Sequence, residues 1–226
     1  DRRLRRLAVR ELDALDHAVL REGSYPVPAE ALLGAVDDIR ETPDAPVRVL
    51  LLGILGGERV ETEIAARIRS RLATGSALHL GAWTTAAIEA GGAEGLAGLE
   101  RALDAADRPV TEDQLAGITR ALIVLRRAGE PALRMPLGDA LVRLAERHPA
   151  TAPLVLQTLA TTSDPTQADL VRRLVTGRAF TTAPDLFAAT AYLARAVRAS
   201  AASGTTEPGL RGRAHRVTRQ QEGNRK

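Results

Sequence analysis

Apolar residues recur along most of the chain at intervals of three and four, and strict alternation of the strand type is hard to find. Leu115, Ile118, Leu122 and Leu125 step by three, four and three, while Val60, Ile64, Ile68 and Leu72 step by four. Leu186, Ala189, Leu193 and Val197 form a third set of this kind. Each set predicts an apolar stripe along one side of a helix. Cap and turn residues mark the ends. Thr111 and Gln114 have the spacing of a capping box, and Asp164-Pro165 places a cap residue before a proline suited to the first helical position, with Gln167 three residues after the cap. The pattern predicts an all-α chain of about eleven helices, over 3–21, 28–41, 45–55, 58–73, 78–90, 93–106, 111–128, 131–147, 150–162, 165–176 and 182–199. Aromatic residues make up only 2% of the composition and β-branched residues are scattered, which weakens any strand reading.

These helices pair, and the pairs repeat. The turns LGILGGERVETEI (52–64), AAIEAGGAEGLAGL (86–99), VLRRAGEPALRMPL (124–137) and TLATTSDPTQADL (158–170) each join an apolar helix end to a second amphipathic helix through small or turn-forming residues. First helices begin near 45, 78, 111, 150 and 182, a period of roughly 32 to 39 residues. On these turns, on small-residue first helices such as GAWTTAAIEA and on leucine-rich second helices such as GLAGLERAL and ALVRLAERH, the chain resembles HEAT-like and armadillo-like helical repeat proteins over about 28–199. The resemblance implies an α-solenoid of stacked helical hairpins. An irregular helical bundle is the alternative.

Charge divides the chain further. Residues 1–10 carry five arginines against one aspartate, and 200–226 carry five arginines and Lys226 against two glutamates. With a formal net charge of +3 overall, residues 11–199 are left at −5. The expected organisation is therefore a basic capping helix over 1–27, a repeat domain over 28–199 and a basic, disordered tail over 200–226. Lys226 is the sole lysine, a bias expected of a GC-rich bacterial genome. No cysteine is present, which removes disulfides, thiolate metal sites and a cysteine nucleophile and fits a cytoplasmic setting. The apolar run Val47–Leu55 contains Arg48 and is too short to span a bilayer.

Few residues point to chemistry. A phosphate loop needs a strand before its glycines and a helix after them, whereas Gly91-Gly92 follows a helix and similar turns recur without Lys-Ser or Lys-Thr; these glycines read as a helix corner. Asp13, Asp16 and His17 share a helical side but have no second cluster to complete a metal site, so a solvated face is expected. His148 and His215 are far from His79 in sequence and define no pair. No nucleophile elbow, zinc signature or kinase set is found, and no catalytic, cofactor or metal residue is assigned.

The expected activity is that of a non-enzymatic scaffold or adaptor that holds another protein in a groove lined by second-helix side chains. Trp83 is the candidate anchor if it is exposed, with His79 one helical turn away; in a repeat helix a lone tryptophan is more often core. Arg126, Arg127, Arg143, Arg147, Arg172 and Arg173 fall at comparable points of successive repeats and form a candidate ridge for acidic partners or phosphates. Nucleic-acid binding through the basic ends and this ridge is the second expectation, opposed by the acidic body and the scarcity of aromatic residues. A helical-repeat lyase ranks last. Terminal repeats without polar caps leave homo-oligomerisation open.

Overall fold

The computed structural model describes residues 12, 15–36, 44–162 and 167–202. Ten α-helices and no strand are found among them. In chain order these are α1 (His17–Glu22), α2 (Ala29–Val36), α3 (Ala45–Leu55), α4 (Glu58–Thr74), α5 (Leu80–Asp104), α6 (Glu112–Ala128), α7 (Arg134–Arg147, after a 3-10 turn at Pro131–Leu133), α8 (Thr151–Thr162), α9 (Ala168–Thr176) and α10 (Ala183–Ala202). None is long and apolar enough to cross a membrane. Most of the expected helix 3–21, the Asp164-Pro165 cap and all of the tail beyond Ala202 lie outside the described residues. Within the expected 3–21 helix, Asp16 is extended and stands at the N-cap position of α1 without a side-chain cap hydrogen bond, so α1 begins at His17.

Two of the expected stripes form the core. Val60, Ile64, Ile68 and Leu72 of α4 are buried, as are Leu115, Ile118, Leu122 and Leu125 of α6. The third differs: α10 buries Ala189, Tyr192 and Ala196, while Leu186 and Val197 are exposed. As the last described helix it packs mainly on α8 and α9, which bury one side of it.

The expected helices 78–90 and 93–106 are one element broken in the middle. Gly92 has φ 53° and ψ −126°, a conformation that side chains other than hydrogen avoid, and it bends α5 into two arms. A Cβ on Gly95, one turn later, would sit 2.0 Å from the Ala87 carbonyl oxygen, so the bend also needs a residue without one there. The corner closes tightly because both positions are glycine.

Packing joins consecutive elements and also elements that alternate along the chain. The arms of α5 pack on α3, α4 and α6; beyond them α6 packs on α8, α7 on α9 and α8 on α10. Small residues let the early helices approach closely: a Cβ on Gly53 of α3 would lie 2.5 Å from Ala86 Cα, and one on Gly81 of α5 would lie 2.9 Å from the Gly117 carbonyl oxygen of α6. Backbone contact at these points draws α3, α5 and α6 side by side and leaves little side-chain bulk on their outer surface.

Candidate interaction site

That surface is an open apolar groove of about 490 Å³. Its floor follows from the close approach just described, because Gly81, Ala82, Gly117 and Ala121 put almost nothing above the backbone. Pro46, Val47 and Leu50 of α3 form one wall, Val124 of α6 the other, and Leu15 and Leu20 from the α1 region close one end. Val124 and Leu15 are both more than 40% exposed, an unusual cost for large apolar side chains beside such a floor. Among the described residues no carboxylate lines the groove, and its charged or ionisable members are His17, His79 and Arg120.

His17 and His79 differ in their surroundings. His17, which the sequence places on a solvated face, turns inward: its Nε2 lies 2.8 Å from Glu89 Oε1, and Arg21 Nε donates to Glu89 Oε2 at 2.8 Å. Burial alone would raise the Glu89 pKa, but the hydrogen bond and charge of His17 and the Arg21 guanidinium outweigh it and hold the carboxyl below its ordinary value. These two contacts tie α1 to α5. His79 adopts φ 55° just before α5, and burial, followed by the charge of Arg71, lowers its pKa and favours the neutral ring. Asp13 lies outside the described residues, and among those described no group of three or more His, Asp or Glu side chains converges.

Trp83 is core. It is 1% exposed, and the Arg71 guanidinium lies 5.1 Å from its ring centroid. An exposed tryptophan anchor is therefore ruled out; packing of α5 against its neighbours turns this residue inward.

Acidic partners on other helices take up most of the arginine set. Arg143 Nη2 donates to Glu100 Oε1 at 2.7 Å, Arg147 pairs with Asp104, and Arg173 Nη2 pairs with Asp139 Oδ1 at 2.6 Å. Arg126 is buried, and its Nη2 donates to Asp169 Oδ2 at 2.5 Å. Arg127 and Arg172 are exposed and make no ion pair among the described residues. Three of the four pairs join residues 43 apart, a spacing outside the period of roughly 32 to 39 residues read from the sequence. The second-helix side, where the sequence reading puts the partner groove, has a smaller cleft of about 240 Å³ between α4 and the second arm of α5, edged by Glu61, Arg69, Glu94 and Arg101. Leu186, Phe187 and Val197 add an exposed apolar face on α10.

Comparison of the chain with protein-family models, curated proteins and solved structures returns no match. Functional assignment therefore follows from the surfaces themselves.

Proposed function

We propose that this protein is a non-enzymatic interaction module, a HEAT-like solenoid of stacked helical hairpins that holds a segment of another protein. The skip pattern of packing, α6 on α8, α7 on α9 and α8 on α10, supports the stacked-hairpin reading, since first helices then meet first helices and second helices meet second. The observation that carries the functional reading is the open groove across α3, α5 and α6, apolar on its floor and both walls. A stack of hairpins builds such a trough without a single deep pocket, which suits an extended partner better than a small substrate. Engagement of Arg126, Arg143, Arg147 and Arg173 by carboxylates takes up four of the six ridge arginines that a phosphate backbone would contact.

A photo-crosslinking residue placed at Val124 or at Arg172 of the full chain tests this in extract of the native host. The expected result is discrete protein adducts from position 124 that persist at high salt. Nucleic acid captured from position 172 and lost as salt rises, with no protein adduct at 124, overturns the reading.

A further inference from the structure

We infer that the α3–α5–α6 groove receives an amphipathic helix whose polar edge is acidic, contributed by a partner protein. This rests on the interaction-module reading and names the chemistry of the partner. The argument begins on α6. Gly117, Ala121 and Val124 face the groove at helical spacing, and Arg120 stands at its rim. Arg127 lies two turns beyond Arg120, on the same edge of α6 and roughly 10 Å along the axis. Both arginines are exposed, and neither makes an ion pair among the described residues, in contrast to the paired arginines on α7. The described lining of the groove is thus an apolar trough without a carboxylate and with one unpaired cation, Arg120, while Arg127 stands farther along the same edge of α6.

Charge decides among occupants. The segment 203–226 carries five arginines and Lys226 against two glutamates, and among the described lining residues it finds no carboxylate and the like charge of Arg120, with Arg127 farther along the same helix edge. An acidic helix fits both features. Apolar residues at i, i+3 or i+4 and i+7 fill the trough, and carboxylates about two turns apart meet Arg120 and Arg127. The open form of the groove, lined by the half-exposed Val124 and Leu15, suits the side of a helix rather than an enclosed small molecule.

The test is selection of a displayed library of 16-residue helix-forming peptides on the full chain, followed by affinity measurement of the enriched sequences. The expected outcome is enrichment of amphipathic peptides bearing Asp or Glu along one edge. Their binding should weaken by about tenfold or more in Val124→Arg and in the double variant Arg120→Glu/Arg127→Glu, and Glu61→Gln in the smaller cleft should leave it unchanged. All of these positions are exposed, and thermal melts like those of the parent chain show that the variants fold. Enrichment of basic or uncharged peptides that still depend on Val124 overturns the acidic assignment and keeps the interaction-module reading. Absence of any enrichment that depends on Val124 overturns the groove as a peptide site and, with it, the observation on which that reading stands.

Discussion

Gln114 Nε2 donates to the Arg71 carbonyl oxygen at 2.9 Å and to that of Ser76 at 3.3 Å, joining the start of α6 to the end of α4. The same side chain accepts the Thr111 backbone N–H at 2.9 Å through Oε1, while the Gln114 N–H donates to Thr111 Oγ1. One buried amide thus closes a capping box and fastens a second helix. The two duties separate by substitution. Glutamate can still serve the box but turns a donor into a carboxylate facing two carbonyl oxygens. Gln114→Glu is expected to lower unfolding free energy by about 2–4 kcal/mol, against about 1 kcal/mol for Thr111→Ala, measured by urea denaturation.

Close approach of α3 to α5 gives a prediction of opposite sign at two glycines. Gly53→Ala forces a methyl group to within 2.5 Å of the Ala86 backbone and is expected to cost about 1–3 kcal/mol. Gly34→Ala, on the exposed side of α2 with nothing within 4 Å, is expected to stabilise by about 0.5–1 kcal/mol. Thermal melts followed through Trp83, the sole tryptophan and fully buried, read both.

Arg126 and Asp169 are unequal partners. The arginine side chain is 1% exposed and the aspartate 43%, so removing the aspartate strands a buried cation, whereas removing the arginine leaves a carboxylate that water can reach. Asp169→Ala is expected to cost about 1–3 kcal/mol, discounted for the solvent around the aspartate, and Arg126→Met to be within about 1 kcal/mol of neutral. Arg143→Ala and Arg147→Ala, whose pairs are exposed, are each expected to change stability by less than about 1 kcal/mol. A denaturation series over the four variants checks the order.

Glu89 sets an acid limit. Its pKa in the folded protein is held below the ordinary 4.5 by His17 and Arg21 against the opposing effect of burial. The unfolded chain therefore takes up a proton first as pH falls. The stabilisation is complete above pH 4.5 and is lost progressively as pH drops through the lower folded value. His79 acts in the same direction at higher pH: its folded pKa is lowered from 6.5, so its contribution is present above that value and declines as pH falls below it. Melting temperature should decline on acidification in both ranges. Glu89→Gln should flatten the lower limb and His79→Gln the upper one; melts from pH 8 to pH 3 separate them.

Helix positions were legible in the sequence wherever local rules govern. The stripes on α4 and α6 are periodic, Thr111 and Gln114 announce a cap, and paired small residues at Gly91-Gly92 mark a corner. These signals act within a few residues, so spacing alone carries them. The α10 stripe holds only in part: Ala189 is buried and Leu193 packs on the core, while Leu186 and Val197 are exposed, because the last described helix buries the side that α8 and α9 offer. Pairing of the arginines, inward rotation of Trp83 and of His17, and convergence of Gly81 with Gly117 all join residues far apart in the chain. Only tertiary packing decided them. The groove belongs to this second group: its floor consists of residues notable for having almost no side chain, and an absence becomes a surface only when three helices are laid side by side.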